Sequence, residues 1–581
     1  MSEAEPVEHE PWPLRAAILV ALGAACALIV YHITRGTDGR DWTDAPLRMA
    51  AGGFLAAGAL IFALTLERLR WRWAAAFAAA AGLVVALVVW WNGSPEDWGT
   101  GEGWKLVAAL IAIALAVPLF QAARDSGTRR FAVRAAHVHA WTDLILWFAA
   151  CAFVAATLLL TFLLHELFRL IGIEVIGRAF DAGWLPAPLI GAALGGAIGL
   201  LRDRNNVLEM LQKMVRAILS VLAPVLALGL ILFVAALPFT GLEPLWSQTK
   251  STTPILIICI LGAVALVNAV IGNAADEEGR SPLLRWPAMA LAAVTLPLAI
   301  VAAVSTAKRI GQYGFTPDRL WAAVIVAGAI ALALAYLLSL VLRRGDWPAA
   351  LRRANVRLAI GLSALALFLA LPFVSFGAIS ARDQAARLEA GKVSPDRFDW
   401  AAMRFDFGPA GLRALERLAR SGPAEARPYA RRALAAQHRW PEVAHDVAPP
   451  QDQTPDPAPK LRVTPAGAAV PPVLLDLVAS TVLCAEIECR LVFDVPGRAI
   501  LIGQPCAECE VHVRIYRADG EVWRQLEQHP GSIPAPLDPP GRHAGAERQR
   551  QAIAAGRVEV RAVEKRQVFV DGEPVGPVFE P

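Results

Sequence analysis

The feature that most constrains this chain is a series of apolar runs of about 18 or more residues with no charge at their centres. Runs of that length can cross the hydrocarbon core of a bilayer, about 30 Å thick, as α-helices. They continue to about Ile379, where the sequence changes to a soluble type. Only 18 % of the residues are charged, against about 25 % in soluble proteins. The chain is therefore predicted to be a polytopic α-helical membrane protein.

The apolar runs and their flanks predict about eleven spans. Tryptophan residues stand near many of the predicted ends, as in the aromatic belts of membrane proteins. The predicted spans cover residues 14–33, 46–66, 73–91, 104–122, 142–168, 184–201, 215–237, 254–272, 286–305, 320–342 and 356–379.

Lysine and arginine are distributed unequally between alternate loops. The loops after the second, fourth, sixth, eighth and tenth spans hold 18 of them with the adjoining helix ends, and the other five hold 10. By the positive-inside rule the richer set is cytoplasmic. The N-terminus is then cytoplasmic, and everything after the eleventh span is periplasmic. The acidic leader before the first run, with Glu3 and Glu5, predicts a retained helix rather than a secretory signal, in a bacterial inner membrane.

The chain is predicted to be mainly α, a helical membrane bundle followed by a small antiparallel β-domain. Residues 1–379 form the transmembrane domain, and residues 380–446 form extracytoplasmic amphipathic helices. Eight prolines make residues 447–472 a linker of extended chain. Residues 473–581 form a soluble β-rich domain, because short β-like runs such as RLVFDV, RAILIG and RQVFVDG alternate there with turn residues.

No ionisable residue stands at the centre of a predicted span, which disfavours a charge-coupled pump, because such proteins keep charged side chains along the pathway. Five charged residues stand at the starts of spans, where they can reach the interface or cap a helix: Arg48, Lys105, Asp143, Arg216 and Arg357. Asn268 lies well inside a span, and a hydrogen bond within the bundle explains it best.

Two segments at the predicted outer face are candidates for a site. His165 and Glu166 are either an acid–base pair or an interfacial anchor. In RIGQYGFTPDRLW, Thr316 is a plausible N-cap for the tenth span. Three neighbours would give that mouth a cationic site for an anionic headgroup or a peptide carboxylate, unless they serve only to cap the helix: Arg309, Tyr313 and Arg319.

Helix packing has its own signal in a double GxxxG pattern formed by Gly191, Gly195 and Gly199, which predicts close intramolecular packing. The sequence contains no nucleotide-binding loop, no HExxH zinc motif and no GxSxG elbow. Scattered basic residues also give no nucleic-acid-binding stripe. We therefore predict no catalytic residue, resident metal, cofactor or nucleic-acid partner.

Four cysteines form the one compact constellation of the tail: Cys484, Cys489, Cys506 and Cys509. Two close pairs can hold zinc, but an oxidising compartment and the crowding glutamates favour disulfides. Pairing of neighbours, Cys484 with Cys489 and Cys506 with Cys509, is one of three possible connectivities. Cys26, Cys151 and Cys259 lie in spans and are predicted to be free apolar thiols.

Five segments of mixed polar and apolar residues carry a family resemblance: LFRLIGIEVI, PFTGLEPLW with the following TTPILI, RIGQYGFTPDRLW, ISARDQAARLEAGKV and FDFGPAGLRALERL. They resemble a bacterial family of multi-spanning membrane proteins, the domain of unknown function 4153 family, over about residues 140–420. That resemblance implies no reaction, ligand or catalytic residue. Some similar proteins carry a β-rich tail with an acidic, calcium-type turn, and FDVPGRAIL stands at that place here without the repeated Asp.

Three hypotheses for function follow. The first is a non-catalytic envelope scaffold or sensor, with membrane lipids around the bundle and an envelope protein as partner of the C-terminal domain. The second is a transporter or lipid-handling protein with a cavity opening at Tyr313. The third is an outward-facing membrane enzyme that uses His165, Glu166 or residues 309–319.

Overall fold

Long α-helices make up most of the chain in the computed structural model. The chain divides into two compact units, Met1–Arg439 and Trp440–Pro581, and each is treated by itself. The structure describes residues 12, 14–35, 45–93, 98–126, 132–171, 173, 175–181, 184–243, 246, 251–279, 281–343, 345–436, 461–465, 467–479, 489–503, 512–519, 522–525, 552–553, 555, 557–562, 566–570 and 573–579.

Within these residues, ten helices are long and apolar enough to cross a membrane, which confirms the predicted polytopic bundle. They are α1 (Leu14–Thr34), α2 (Ala45–Thr65), α3 (Trp71–Asn92), α4 (Thr100–Ser126), α5 (Val133–Leu170), α8 (Asn205–Thr240), α9 (Thr252–Ile271), α10 (Pro282–Tyr313), α11 (Pro317–Leu342) and α12 (Trp347–Ala370). Between α5 and α8 lie the short α6 (Val175–Asp181) and α7 (Pro186–Arg202).

The helix predicted as the sixth span is α7, which has 17 residues and rises only about 25 Å. It runs antiparallel to α1 at very short range. A Cβ added at Gly191 would lie 2.2 Å from Gly23 O, and one added at Gly195 would lie 2.1 Å from Leu19 O. The backbones of α1 and α7 therefore touch through their glycines, with no room for a side chain between them.

The last span ends earlier than predicted. Helix α12 stops at Ala370, and Leu371 is extended, with φ −79° and ψ 159°. Leu371 precedes Pro372, and a residue before proline is pushed out of the helical region. The predicted boundary at residue 379 is wrong for this reason. Residues 376–379 belong instead to the next helix.

The spans pack around two large apolar cores, and smaller buried clusters join α3, α4 and α5 to α11 and α12. The first core is formed by α1 to α5 with α7, and the second by α8 to α12. In the second core Asn268 Nδ2 donates to Val264 O at 2.8 Å and to Tyr336 Oη at 2.7 Å, and Asn355 Nδ2 donates to Asn268 Oδ1 at 2.7 Å. The predicted bundle hydrogen bond of Asn268 is confirmed.

After α12, four helices form a helical module: α13 (Phe376–Glu389), α14 (Trp400–Phe405), α15 (Gly408–Ser421) and α16 (Arg427–Ala435). The module packs on the starts of α4 and α11. Phe376 contacts the Trp321 ring at 5.0 Å between centroids, and a Cβ at Gly99 would lie 2.8 Å from Asp406 O. At the other end of the bundle, the C-terminal ends of α2, α4 and α7 meet the N-terminal parts of α1 and α5.

The second unit contains two sheets. The first has the order β1 (Leu461–Thr464), β2 (Cys489–Val495), β3 (Arg498–Gly503), β4 (His512–Asp519) and β5 (Val522–Gln525). The second is antiparallel: β6 (Val558–Ala562), β7 (Arg566–Val570) and β8 (Glu573–Phe579). All six residues of β3 are buried, because α17 (Pro472–Ala479) covers one face of the first sheet and Ile553 and Val568 cover the other.

Strand β1 lies inside the stretch that was predicted as linker. It pairs in parallel with β2, with Leu461 opposite Cys489, while the other pairs of this sheet are antiparallel. A parallel pair needs a crossover connection, which α17 provides. Periodicity alone did not separate this four-residue strand from the surrounding prolines.

We expect the α1–α7 contact to tolerate no side chain. Gly195→Ala should lower the free energy of unfolding by about 1–3 kcal/mol, because the new methyl group overlaps the Leu19 carbonyl. Gly229→Ala is the matched control, since a Cβ there meets nothing within 4 Å. Thermal unfolding of both variants in detergent measures the difference. Equal stability of the two would contradict the close contact.

Candidate functional site

A buried ion network joins three arginines from different helices to Glu67, just after the end of α2. Arg202 Nη2 lies 2.7 Å from Glu67 Oε1, and Arg15 Nη2 lies 3.4 Å from Glu67 Oε2. Arg124 Nη2 lies 3.9 Å from Glu67 Oε1. The side chains of the arginines are between 2 % and 11 % exposed. Glu67 is therefore the common counter-charge for α1, α4 and α7.

The network continues into α5. Arg124 Nε donates to Asp125 Oδ1 at 2.8 Å, and His139 Nε2 lies 2.9 Å from Asp125 Oδ2. Gln121 Nε2 donates to Asp143 Oδ1 at 3.2 Å. Arg15 also lies 3.6 Å from Asp203, which directly follows α7. One set of polar contacts thus joins the N-terminal parts of α1 and α5 to the C-terminal ends of α2, α4 and α7.

Sequence reasoning missed this network. Asp143 was expected to reach the interface or cap a helix, but in the structure it bonds to Gln121 of α4. The partners of Glu67 are 52, 57 and 135 residues away, so no local pattern links them. The one available signal was a set of charged residues at the ends of neighbouring apolar runs.

An apolar cavity of about 440 Å³ lies between α1, α2 and α7, next to the network. Its inner end is formed by Leu19, Ala63 and Ile198. Each of these stands four residues, about one helical turn, from Arg15, Glu67 or Arg202. The ion pairs therefore fix the positions of the three residues that form the inner end of the cavity.

The other end of the cavity is polar. It is lined by Tyr31 and Thr34 of α1. The Arg35 guanidinium lies 5.4 Å from the Tyr31 ring. Arg48 of α2 donates to Ile33 O and to Arg35 O, each at 2.8 Å. Neither arginine lines the cavity, but both lie beside the end of α1 whose Tyr31 and Thr34 form the mouth of the cavity.

The predicted site at residues 309–319 is a tightly capped turn. Thr316 Oγ1 accepts from Arg319 N at 3.4 Å, and Arg319 Nη1 donates to Tyr313 O and Gly314 O at 3.1 and 2.8 Å. From α13, Gln384 Nε2 donates to Tyr313 O at 2.8 Å. Arg309 lies close enough to act electrostatically on Arg319. These contacts favour the capping interpretation.

His165 and Glu166 belong to a different contact. Their side chains lie 3.9 Å apart, and Arg169 Nη2 lies 2.8 Å from Glu166 Oε2. The imidazole packs on α6, where a Cβ at Gly177 would meet it at 2.6 Å. The Glu166 carboxylate forms an ion pair with Arg169, which favours interfacial anchoring over acid–base chemistry.

The cysteines fall into two groups. Cys26, Cys151 and Cys259 are free thiols, as predicted, and Cys26 lines the cavity. Cys489 is 1 % exposed at the start of β2 and is not among the free thiols. The other three tail cysteines, Cys484, Cys506 and Cys509, lie outside the described residues. Their pairing stays a prediction.

Metal-ligand clusters are absent from the described residues, where no group of three or more His, Cys, Asp or Glu side chains could hold a metal ion. At the turn of FDVPGRAIL, Asp494 is held by Arg498, whose Nε donates to both carboxylate oxygens at 2.9 and 3.0 Å. This carboxylate is therefore used within the β-domain. No family model, curated protein or solved structure matches this chain.

We expect Glu67→Gln to lower the free energy of unfolding by about 3 kcal/mol, because it removes the one carboxylate that all three buried arginines share. The control is Glu243→Gln, since the Glu243 side chain is 84 % exposed in its pair with Lys308. That change should cost less than about 1 kcal/mol. Thermal unfolding in nanodiscs compares the two variants. A loss of similar size in both would show that the network is not a core interaction.

Proposed function

We propose that this integral membrane protein binds an anionic membrane lipid in the cavity between α1, α2 and α7. One observation carries the proposal: an apolar cavity with two guanidinium groups beside the end of α1 that forms its mouth. Its volume, about 440 Å³, lies within the range of about 300–1,000 Å³ usual for small-molecule sites. Such sites combine apolar walls with a few polar groups that orient the ligand.

The walls favour an acyl chain. From Leu19 to Thr34 the cavity follows about 22 Å of α1, as 15 residues at about 1.5 Å each. Its lining between these ends is apolar side chains and glycines, apart from the Cys26 thiol. Ala56 of α2 lines the cavity and is exposed, so the cavity is open at this side. A chain from the bilayer can enter by this side without passing through water.

The mouth favours an anionic headgroup. The Arg48 guanidinium is held in place by two carbonyls at the end of α1, and Arg35 lies over the Tyr31 ring. Guanidinium groups near the membrane surface attract phosphate-bearing lipids. This supports a lipid-handling function at a place different from the Tyr313 mouth that the sequence suggested.

A scaffold or sensor is the second candidate, supported by the helical module. Asp383 Oδ2 accepts from Phe315 N at 2.8 Å, and Arg387 Nη2 donates to Gln312 O at 2.7 Å. The module is thereby fixed on the turn between α10 and α11, as a rigid platform for an envelope protein would be. Membership of the domain of unknown function 4153 family stays a prediction and would not decide between the two candidates.

The proposed orientation has the N-terminus in the cytoplasm and the β-domain in the periplasm of a bacterial inner membrane. It is supported by the 18-to-10 loop bias. The loops rich in Lys and Arg also belong to one end of the bundle, and the helical module packs at the other. Disulfides Cys484–Cys489 and Cys506–Cys509 follow from this orientation.

Filling the cavity should displace the lipid. Cys26→Phe places an aromatic ring in the cavity, and Ala59→Leu fills it from the α2 wall. Native mass spectrometry of the purified protein should show that wild type retains phosphatidylglycerol in preference to phosphatidylcholine, and that both variants lose most of it.

Ile29→Phe is the matched control, since Ile29 lies on the same helix with 47 % of its surface exposed. Unchanged retention is expected there, and thermal unfolding should show that all variants are folded. Lipid retention that is equal in the filled and control variants would refute a site in this cavity.

Alkylation of the unreduced full-length protein tests the orientation and the disulfides together. After unfolding in denaturant, only the three span cysteines are expected to be labelled, and reduction should raise the number to all seven. Peptide mapping then gives the connectivity. Seven labelled cysteines without reduction would contradict both the disulfides and the oxidising compartment.

A further inference from the structure

Gln121 and Asp143 form an amide–carboxyl pair that has one of the two hydrogen bonds such a pair can make. Gln121 is 1 % exposed, and its Nε2 donates to Leu64 O at 3.0 Å and to Asp143 Oδ1 at 3.2 Å. Both partners accept hydrogen bonds, which fixes the orientation of the amide. Gln121 Oε1 and Asp143 Oδ2 are buried, and neither has a hydrogen-bond partner among the described residues.

Two buried acceptors without donors are costly in a protein interior. A protonated carboxyl removes this cost for a neighbouring amide. The acid O–H donates to the amide oxygen, while the amide N–H donates to the other carboxyl oxygen, and the two groups close into a ring of two hydrogen bonds. An ionised Asp143 can make only the second of these bonds, because it has no proton to donate.

The balance of charges around the pair also favours binding of one proton. The contacts described above include three arginines, four carboxylates and His139: Arg15, Arg124 and Arg202 against Glu67, Asp125, Asp143 and Asp203. With His139 neutral, the set carries one negative charge in excess. His139 can donate to Asp125 as a neutral Nε2–H tautomer, so it needs no further proton for its contact.

We propose that Asp143 is a proton-binding site, and that the bound proton is held as an O–H···O hydrogen bond from Asp143 Oδ2 to Gln121 Oε1. Binding adds one proton to the carboxylate and neutralises the excess charge of the network. No other bond changes. Release returns the carboxylate to the field of Arg202 and Arg124.

Asp143 is surrounded by charged and polar groups from each helix that packs against it. The charges of Arg202 from α7 and of Arg124 from α4 act on it, and His139 lies one turn earlier on α5. Glu67 and Arg15 lie behind Arg202, and Asp203 lies beside Arg15. From α8, the neutral Gln212 donates to Thr142 at 2.5 Å. Arg70 donates to Arg124 O but is itself exposed, so solvent screens its charge.

Infrared spectroscopy of the full-length protein in nanodiscs tests the proposal. A carboxyl of ordinary pKa, about 3.9, is ionised at about pH 6. Wild type should nevertheless show a carboxylic-acid C=O band at that pH, and the band should disappear as the pH is raised. Asp143→Asn should remove the band. Asp346→Asn should keep it, since the Asp346 side chain is 67 % exposed in its pair with Arg353.

A second variant keeps the test decisive if Asp143→Asn does not fold. Gln121→Met removes the amide oxygen that accepts the bond, so the acid band should shift in frequency or in the pH at which it disappears. A band unchanged in both variants would overturn the proposal. Two results for wild type would also overturn it. In the first, the acid band is absent and the only change with pH is the appearance of imidazolium bands from His139. In the second, the acid band is absent and the melting temperature rises when sodium is added but not when the pH is lowered.

Discussion

The bundle depends on the buried ion pairs of three arginines that share the carboxylate of Glu67. An unpaired charge is costly in a low-dielectric interior, and removing one partner of a buried pair leaves that cost uncompensated. Arg15, Arg124 and Arg202 belong to different helices, and one carboxylate serves them all. The heights of α1, α4 and α7 relative to α2 are set by this contact. Since α7 is short, its position depends on the same ion pair and on the glycine contact with α1.

Ten of the eleven predicted spans correspond to long apolar helices among the described residues, because each span is a local signal, whereas the predicted sixth span is the shorter α7. A run of apolar residues predicts a helix without reference to the rest of the chain, and Asn268 stood out because it interrupts such a run. The β-like runs of the tail were equally local, and β2 to β7 form where they were predicted. The end of the last span was wrong because the apolar run continues past Pro372, while the backbone leaves the helix one residue before it.

The candidate sites were harder to predict because each depends on partners far away in the sequence. The sequence left Arg319 as either part of a cationic mouth or a helix cap, and its Nη1 donates to the carbonyls of Tyr313 and Gly314. The module that completes this turn begins 60 residues later, with Phe376. The cavity was invisible for the same reason, since α1, α2 and α7 are brought together only by the tertiary fold. The GxxxG pattern predicted a close neighbour for α7 but not which helix it is.

The cavity and the ion network constrain each other, because they share three helices. On one side, α1 and α7 touch backbone to backbone, so this pair cannot separate without losing its packing. Helix α2 contributes small side chains such as Ala59 and Ala63 to the wall of the cavity. It is held at one end by the Glu67 pairs and at the other by the Arg48 bonds to the end of α1. A lipid chain that enters the cavity must therefore be accommodated by α2, and the two polar ends limit how far that helix moves.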